Sequence, residues 1–356
     1  LNNTTPLPEV SIEEEDIASI IYTSGTTGFS KGVVLTHKNL VWDARQCRTI
    51  QPVDETYRFL SILPMAHTYE NTLGLLLPLM FGAQVYYLDR VPTPKLLVPA
   101  MQKIRPTVVL SVPLIIEKIY KSQVLPKFTS SKLMSKLYQF APARKLFNRL
   151  AGKKLMETFG GELKFFGIGG SKLDGTVEQF LREAKFPYAI GYGLTETAPM
   201  AAGSNPSQTF LQGVGPVMEG VQIKINDPDK SGQGEIWIKG PNVMKGYYKR
   251  PELTAETFTE DGWFKTGDLG SFDKKNRLAI RGRIKTMILG ASGENIYPEE
   301  IESIINNFRF VNESLVVENS GKLVAMVHFN MEELEKQYQK LKDQAGNYKE
   351  KINDYI

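Results

Sequence analysis

The sequence is poor in the residues that build disulfides and zinc sites. Its 356 residues include one cysteine, Cys47, and three histidines. A single cysteine excludes an internal disulfide, and so few histidines and cysteines offer no zinc-ligand cluster. Cys47 falls on the same helical face as Leu40 and Ala44, which is typical of core packing. We therefore expect a protein of a reducing compartment, the cytoplasm.

Long hydrophobic runs are also absent. The most apolar run, residues 73–83, is too short to span a bilayer and is interrupted by Gly74, Pro78 and Gly82. No signal-peptide pattern opens the sequence. We expect residues 73–83 to form a buried element of a globular fold.

Charge is nearly balanced over the whole chain but not along it. The formal net charge is +4, and the contents of 42% hydrophobic and 23% charged residues are ordinary for a globular protein. Residues 114–156 hold ten Lys or Arg against one acid, Glu117. Because apolar residues are interleaved, this segment is either a solvated basic face, which charge patterning favours, or a peripheral contact with an anionic membrane. No nucleic-acid-binding motif accompanies it.

Strand-like and helix-like segments alternate through the first two hundred residues. The predicted strands are 85–88, 107–111, 163–167 and 188–190, and the predicted helices are 96–104, 114–122 and 177–184. Such alternation is typical of an α/β sheet with helices on its faces. We predict a large α/β N-terminal domain over residues 1–283, with a β-barrel-like part at about 213–283 where short strands and turns follow one another. A small α+β C-terminal domain is predicted over 284–356, with its first helix beginning at Pro298.

The most informative motif is YTSGTTGFSKGVVLTH, residues 22–37. Glycines allow a backbone to approach an anion, hydroxyl and N–H groups donate to its oxygens, and Lys31 supplies positive charge. The motif therefore predicts a polyphosphate site, the alternative being a Gly/Thr-rich surface turn. It is not a Walker loop, because Lys31 follows Ser30 and precedes Gly32, outside the GxxxxGK[ST] pattern.

The flanks of this motif predict a loop between two strands. Residues 18–22 and 33–35 have the pattern of strands, and a helix is expected to begin near Thr36, a suitable N-cap. The segment resembles the signature loop of the adenylate-forming (AMP-binding) enzymes: acyl-CoA synthetases, firefly luciferase and the adenylation domains of nonribosomal peptide synthetases. The resemblance implies that ATP phosphates contact Thr23, Ser24, Gly25, Thr26, Thr27, Gly28 and Lys31.

Two further segments match this family in the expected order, GIGGS at 167–171 and GYGLTETAP at 191–199. The resemblance implies that the adenine is framed by Gly169, Gly170, Ser171, Tyr192 and Gly193. Close backbone approach to a flat ring explains the glycines, and a tyrosine offers a stacking face. It also implies that Thr195 donates to the α-phosphate and that Glu196 holds Mg²⁺, which prefers hard oxygen ligands.

Two more segments carry single candidate residues. LPMAHTYE at 63–70 resembles a stretch found particularly in long-chain acyl-CoA synthetases, and implies that His67 donates toward the substrate carboxylate or the reacting phosphate. A lone histidine in an apolar setting is otherwise a structural residue. WFKTGDL at 263–269 implies that Asp268 accepts both ribose hydroxyls, the alternative being an aspartate of a cap or turn.

The last matching segment, residues 282–302, reads GRIKTMILGASGENIYPEEIE. The resemblance implies that Arg283 reaches the ribose or the phosphates and that Gly293 belongs to the loop beside the coenzyme A thiol channel. The residues after Arg283 resemble the hinge on which the small domain rotates. Many relatives carry an acidic hinge residue where this chain has Thr286.

These resemblances imply an adenylate-forming fold and an ATP-dependent ligase. The expected reaction converts a long-chain fatty acid to acyl-AMP with release of pyrophosphate and then transfers the acyl group to coenzyme A, with ATP and Mg²⁺ required. Adenylation of an aryl or amino acid, or nucleotide binding without turnover, remain alternatives. The family's adenylation-step lysine and a portion ahead of the phosphate loop are not found, so we expect an incomplete fold. The sequence does not indicate an oligomeric state.

Overall fold

The computed structural model describes most of the chain. The described residues are 10–23, 30–90, 92–129, 131–289, 295–308, 310–319, 321–332, 334–335, 337–339 and 342. The chain divides into two compact units, Leu1–Ile280 and Arg281–Ile356. This division lies slightly before the domain boundary expected after residue 283. Of the predicted site residues, only Arg283 and Gly293 therefore fall in the second unit.

The regular elements, numbered in chain order, fill most of the described ranges. The strands are β1 (Ile17–Thr23), β2 (Lys31–Thr36), β3 (Arg58–Ser61), β4 (Gln84–Tyr87), β5 (Val108–Ser111), β6 (Phe165–Ile168), β7 (Tyr188–Gly193), β8 (Met200–Gly203), β9 (Gln222–Asn226), β10 (Gly234–Lys239), β11 (Gly246–Tyr247), β12 (Phe264–Phe272), β13 (Leu278–Arg283), β14 (Ile288–Leu289), β15 (Asn295–Ile296), β16 (Val311–Asn319) and β17 (Lys322–Phe329). The α-helices are α1 (His37–Ile50), α2 (Leu77–Met80), α3 (Pro94–Ile104), α4 (Pro113–Ile119), α5 (Leu125–Phe128), α6 (Lys132–Gln139), α7 (Ala141–Thr158), α8 (Gly175–Glu183), α9 (Pro251–Thr257) and α10 (Pro298–Asn306). Two π-helical segments, Glu70–Leu76 and Tyr120–Val124, lead into α2 and α5, and a 3₁₀ turn spans Thr195–Thr197.

A six-stranded sheet in the order β4-β3-β5-β6-β7-β8 forms the centre of the first unit. Neighbouring strands from β4 to β7 are parallel, and β8 is antiparallel to β7. All residues of β5 are buried, as expected for a parallel strand covered on both faces. Val108 and Leu110 join one hydrophobic cluster and Val109 the other, because successive side chains point to opposite faces. The predicted α/β sheet with helices on its faces is confirmed.

The phosphate-loop motif lies between two paired strands. β1 and β2 are antiparallel and pair up to Thr23 and Lys31, and β11 pairs with the other edge of β2. Helix α1 begins directly after Thr36, whose hydroxyl accepts from the Asn39 N–H while the Asn39 side chain accepts from the Thr36 N–H. This capping box explains where the helix starts. The predicted loop between strands and the predicted N-cap are both confirmed.

The β-rich part of the first unit contains a sheet in the order β13-β12-β10-β9. β10 is antiparallel to both β9 and β12. The register with β12 shifts between Glu235 and Trp237, so that residues 266–268 lie opposite Ile236 alone. A bulge of this kind bends its strand and re-aims the side chains within it. Asp268 is one of the residues that the bulge contains.

The basic segment 114–156 is helical from α4 to α7, as predicted. Pro142 is the second residue of α7, where a proline is tolerated because its missing N–H would have no intrahelical partner. Pro126 lies within a continuous helical run, because α4, the π-helical segment Tyr120–Val124 and α5 follow one another without a gap. The predicted break at Pro142 is confirmed, whereas the predicted break at Pro126 is wrong.

The apolar run at residues 73–83 is only partly buried. Leu73 and Leu77 lie in the core, whereas Leu79 is 62% exposed at the end of α2. Among the described residues, no helix combines the length and apolar character needed to cross a bilayer. The expectation of a buried element therefore holds for one face of this run.

In the second unit, α10 begins at Pro298, as predicted, with Glu299 and Glu300 in its first turn. Acidic residues at a helix N-terminus interact favourably with the helix dipole. Strands β16 and β17 form an antiparallel hairpin, and the Glu302 carboxylate accepts from the Val316 N–H, which ties α10 to β16. These elements have the α+β character expected for the small domain.

Candidate functional site

The predicted site residues of the central sheet follow the carboxyl ends of parallel strands. His67 lies in the loop after β3, residues 169–171 directly follow β6, and Thr195 and Glu196 follow β7. Since these strands belong to one parallel array, the loops emerge at a common edge of the sheet. Ligands of open α/β sheets bind at this edge.

Gly169 and Gly170 form a tight turn after β6. The Gly169 N–H donates to the carbonyl oxygen of Ser111 at 3.1 Å, which holds the turn against the end of β5. Gly170 has a φ of 88°, a conformation that favours glycine. A Cβ atom on Gly169 would lie 3.4 Å from the ring of Tyr69. Ser171 is exposed, so this turn is lined by backbone and by Tyr69.

Tyr192 of β7 and Asp268 of the β12 bulge are in direct contact, although they are far apart in the sequence. The Tyr192 hydroxyl donates to Oδ2 of Asp268 at 2.8 Å, and Asp268 is only 5% exposed. The Asp268 N–H donates to Oγ1 of Thr266 at 3.0 Å, and the Thr266 hydroxyl donates to the Ile236 carbonyl at 2.7 Å. A carboxylate has about four acceptor positions. The Asp268 carboxylate can therefore accept from the Tyr192 hydroxyl and from both hydroxyls of a vicinal diol such as that of ribose.

Glu235 holds the bulge that carries Asp268. Its Oε1 accepts from the Gly267 N–H at 3.1 Å, and its Oε2 accepts from the indole N–H of Trp237 at 2.7 Å. Gly267 has a φ of 73°, which an L side chain rarely adopts. Glu235 and Gly267 therefore fix the direction of the neighbouring aspartate.

Glu196 is linked to Lys31 through Tyr247. The Tyr247 hydroxyl donates to Oε1 of Glu196 at 2.8 Å, and Nζ of Lys31 lies 4.8 Å from the centre of the Tyr247 ring, within the range of a cation–π contact. Burial, and then the Glu196 carboxylate, raise the pKa of Tyr247, so its hydroxyl stays a donor. Glu196 itself is 9% exposed, and its carbonyl accepts from the Met244 N–H at 2.9 Å. The paired end of the phosphate-loop hairpin and the turn after β7 thus lie side by side.

The 3₁₀ turn Thr195–Thr197 is held by its own short hydrogen bonds. Oγ1 of Thr197 accepts from the Leu194 N–H at 2.8 Å and donates to the Pro199 carbonyl at 2.6 Å. A Cβ atom on Gly193 would overlap that same carbonyl oxygen. Position 193 therefore requires glycine for the turn to close.

His67 lies at the same sheet edge but apart from the other candidates. Its side chain is exposed, its N–H donates to the Pro64 carbonyl at 3.0 Å, and its carbonyl accepts from the Asn71 N–H at 2.9 Å. Within the described ranges, the imidazole makes no hydrogen bond to another predicted site residue. The structure thus positions His67 by its backbone.

Glu70, three residues after His67, is a buried carboxyl for which the sequence motifs predict no role. It is 2% exposed and begins the π-helical segment Glu70–Leu76, a helix type that is frequent at functional sites. Burial raises the pKa of Glu70 to about 7, against the opposite effect of a hydrogen bond from Ser61. A Cβ atom on Gly74 would lie 2.5 Å from Oε1 of Glu70, so glycine makes room for this carboxyl.

Other predicted contacts fall outside the described residues or outside the first unit. The loop residues that lie between the paired Thr23 and Lys31 and outside the described ranges are Ser24, Gly25, Thr26, Thr27 and Gly28. Gly293 lies outside them too, and Arg283 is exposed at the end of β13 in the second unit. The roles of these residues stay predictions.

The described acidic groups suit a magnesium ion that arrives with its nucleotide. Glu196 offers a carboxylate beside Lys31, and in the described part of the chain no three His, Cys, Asp or Glu side chains gather around one position. Mg²⁺ is commonly held by one or two carboxylates together with substrate phosphates. Glu196 therefore fits the protein's share of a magnesium–nucleotide complex.

The chain matches known proteins over most of its length. Residues 2–248 match the family model described as AMP-binding enzyme. The chain is 33% identical over 340 residues to long chain acyl-CoA synthetase 6, peroxisomal, of Arabidopsis thaliana, which covers 88% of this chain and 48% of that protein. It is 32% identical over 338 residues to long-chain-fatty-acid–CoA ligase 1 of Saccharomyces cerevisiae, covering 87% and 47%. The chain thus spans about half the length of the curated relatives it matches.

Solved structures of similar fold confirm the predicted fold class. ATP-bound MatB from Rhodopseudomonas palustris superimposes with a TM-score of 0.73 and 27% identity, over 90% of this chain and 60% of that one. O-succinylbenzoate coenzyme A synthetase (MenE) from Bacillus subtilis, in complex with ATP and magnesium, gives a TM-score of 0.72 and 25% identity, over 92% and 63%. By its matching segment, its relatives and its fold, the chain belongs to the AMP-binding enzyme family.

Proposed function

We propose that the complete protein activates a long-chain fatty acid with ATP, forming acyl-AMP and pyrophosphate, and then transfers the acyl group to coenzyme A. The choice of acid and acceptor is supported by relatives named as long-chain acyl-CoA synthetases and ligases. The adenylation step is supported by one observation above all. Tyr247 contacts a carboxylate, Glu196, through its hydroxyl and a cation, Lys31, through its ring, and a metal-bound polyphosphate would use both charges.

The first step needs positioning more than proton transfer. A fatty carboxylate is already ionised at neutral pH, because its pKa is close to the value of about 4.3 for glutamate. The obstacle is repulsion between two anions and the build-up of charge on the α-phosphate, which is overcome by orientation and electrostatic stabilisation. Lys31 would offset phosphate charge, and Thr195 would donate to the α-phosphate. Mg²⁺, which Glu196 would hold, would supply further charge neutralisation.

The nucleoside would be held at a second position. Asp268 would accept from the ribose hydroxyls while Tyr192 keeps its carboxylate in place, and the turn at Gly169, Gly170 and Ser171 would lie along the adenine. This assignment is supported by the contact of Tyr192 with Asp268 and by the backbone-lined turn after β6. It places the sugar and the phosphates at separate carboxylates.

In the second step the deprotonated thiol of coenzyme A would attack the acyl carbonyl of the adenylate, so that the thioester forms, the acyl–phosphate bond breaks and AMP leaves. A thiol of this kind has a pKa of about 8.5, so a minor thiolate fraction is present at neutral pH. Arg283 and Gly293 belong to the second unit, and the resemblance implies that Gly293 borders the channel of the coenzyme A thiol. His67 would donate toward the substrate carboxylate in the first step.

Isotope exchange between pyrophosphate and ATP in the complete protein tests the proposal, with a panel of fatty, aryl and amino acids as co-substrates. We expect exchange to depend on a long-chain fatty acid and to be lost in Lys31→Ala. Lys38→Ala is the matched control, since Lys38 is an exposed lysine at the start of α1 that pairs with Glu15. ATP binding without exchange for any acid would contradict the proposal and would indicate a protein that binds the nucleotide without turning it over.

A second candidate keeps the chemistry and changes the acid. MenE, a structural neighbour, is named for O-succinylbenzoate, an aryl acid. Exchange with aryl acids and none with fatty acids would favour this candidate. The cytoplasmic location stays a prediction, and one of the relatives is named as peroxisomal.

A further inference from the structure

The outer side of α6 and α7 carries a repeated dipeptide of one basic residue followed by leucine. The dipeptides lie at 132–133, 136–137, 145–146 and 149–150, and together they are called the basic-leucine face here. In each helix the two copies are four residues apart, so that they project from the same side. We propose that this face docks the protein on an anionic membrane surface.

The leucines of this face are exposed where an ordinary amphipathic helix is polar. Leu133 is 68% exposed, Leu146 57% and Leu150 61%, and Phe140 between the two helices is 64% exposed. Exposed apolar residues that alternate with lysine and arginine are the composition of helices that lie in a membrane interface. A basic face that contacts only water does not require exposed leucine and phenylalanine side chains.

Packing on the inner side prevents the leucines from turning inward. Phe128 stacks on Tyr138 with ring centres 4.7 Å apart and lies 5.7 Å from the ring of Phe147. The Tyr138 hydroxyl also donates to Oδ1 of Asn148 at 2.9 Å. Both helices are thus anchored through Tyr138 and Phe147, and not through the leucines of the basic-leucine face.

The charge of the segment selects an anionic partner. Ten basic residues stand against the single acid Glu117 between residues 114 and 156, and Glu117 is engaged by the N–H of Asp174. Arg144 contributes little, because its guanidinium pairs with Glu183 at 2.9 Å. Each basic residue near an anionic bilayer strengthens binding about fivefold. A nucleic acid would use the charges but not the leucines.

A cavity of about 380 Å³ opens beside this face. Leu150 belongs to both, and the cavity walls include Ile119, Val124 and Phe147, with Lys154 among the polar groups. An acyl chain displaced from the bilayer would meet apolar walls there. The cavity therefore suits the lipid phase as the partner rather than a polar protein surface.

Sedimentation with vesicles tests the proposal on the complete protein. Vesicles of phosphatidylcholine alone are compared with vesicles that also contain phosphatidylserine, at low and high salt. We expect binding to the anionic vesicles only, weakening as salt rises because screening shortens the reach of the charges. Equal binding to neutral vesicles, or none to either, would overturn the proposal.

Two variants separate charge from apolar contact. Exchange of the four basic residues of the face for glutamine should weaken binding by about a hundredfold or more, at about fivefold for each charge. Exchange of its four leucines for serine should weaken binding more than about tenfold, since each leucine gives up buried apolar area. The matched controls are Lys274→Gln with Lys275→Gln, and Leu211→Ser, which are exposed residues elsewhere in the first unit.

The controls should bind vesicles like the unchanged protein, and an equal loss in controls and variants would contradict a specific face. If a fourfold variant fails to fold by circular dichroism, Lys136→Gln with Leu137→Ser provides a milder version with about a fivefold or larger loss. All variants should retain pyrophosphate exchange with a long-chain fatty acid that is supplied in detergent micelles without vesicles. Vesicle binding without any exchange would leave this inference intact while refuting the proposed function.

Discussion

Two tyrosine–carboxylate pairs in the first unit use the same hydrogen bond in different surroundings. Tyr247 donates to Glu196 and Tyr192 donates to Asp268, each at 2.8 Å and with the carboxylate almost buried. Lys31 lies against the first tyrosine, whereas the second pair joins a parallel strand to the bulge of an antiparallel sheet. A tyrosine hydroxyl thus orients each carboxylate, and we propose that the neighbouring Lys31 distinguishes a phosphate end from a sugar end.

Of the changes considered for these residues, substitution of Glu196 is expected to have the largest effect. Glu196→Gln keeps an oxygen that accepts from Tyr247 but removes the charge that would hold Mg²⁺. Pyrophosphate exchange should fall about a hundredfold to a thousandfold, the usual effect of losing one electrostatic contact to a transition state. Exchange rates measured over a range of magnesium concentrations check this. Glu219→Gln, an exposed position, is the control, and undiminished exchange in Glu196→Gln would contradict the phosphate-end assignment.

Glu70 is another buried carboxyl of the first unit, and among the described residues no tyrosine hydroxyl donates to it. Its pKa is raised from 4.5 to about 7. Between these pH values the folded state keeps a proton that the unfolded state has lost, so the free energy of unfolding falls as pH rises. The fall amounts to about 3 kcal/mol.

Urea unfolding of the unchanged protein and of Glu70→Gln at pH values across that window measures the effect. The glutamine variant should lose the corresponding part of the pH dependence, since its side chain does not titrate. Parallel curves for the two proteins would contradict a raised pKa at Glu70.

Asp268→Asn is expected to have a smaller effect, confined to nucleotide binding. Hydrogen bonds to a charged group contribute about 1.5–3 kcal/mol, so KM for ATP should rise about tenfold to a hundredfold. The rise should be smaller with 2′-deoxy-ATP, which lacks one of the hydroxyls. An equal rise for both nucleotides would show that Asp268 does not bind the sugar.

The smallest effects are expected for the tyrosines. Tyr247→Phe and Tyr192→Phe each remove one hydrogen bond, and each should weaken the free energy of ligand binding by about 1–2 kcal/mol. The first should raise the magnesium concentration needed for half-maximal exchange, and the second should raise KM for ATP. The distinction between the two pairs would be wrong if the two variants changed the same parameter.

Parts of the fold with local signals could be predicted from the sequence. The hairpin β1–β2, the N-cap Thr36 and the start of α10 at Pro298 depend on residue types next to one another. Strands β3 and β8 are short and buried in the sheet, so their pairing with distant strands decides their conformation. β12 was not predicted from the sequence, because Thr266, Gly267 and Asp268 have the composition of a turn. In the structure these three residues form a bulge within the strand.

The candidate site likewise contains residues with a local sequence signal and residues whose role depends on distant contacts. Motifs identified Lys31, Glu196 and Asp268, but not the residues that hold two of them. Tyr247 and Glu235 act through contacts with residues that are remote in the sequence, and tyrosine or glutamate in a strand has no distinctive local pattern. Such partners become visible only when the strands are paired.

A crystal structure of the complete protein with magnesium and a non-hydrolysable ATP analogue would test most directly whether Glu196 and Asp268 bind the two ends of the nucleotide. We expect phosphates between Lys31 and Glu196, with magnesium on the Glu196 carboxylate and both ribose hydroxyls bound to Asp268. A nucleotide that lies elsewhere, or a ribose turned away from Asp268, would contradict these assignments.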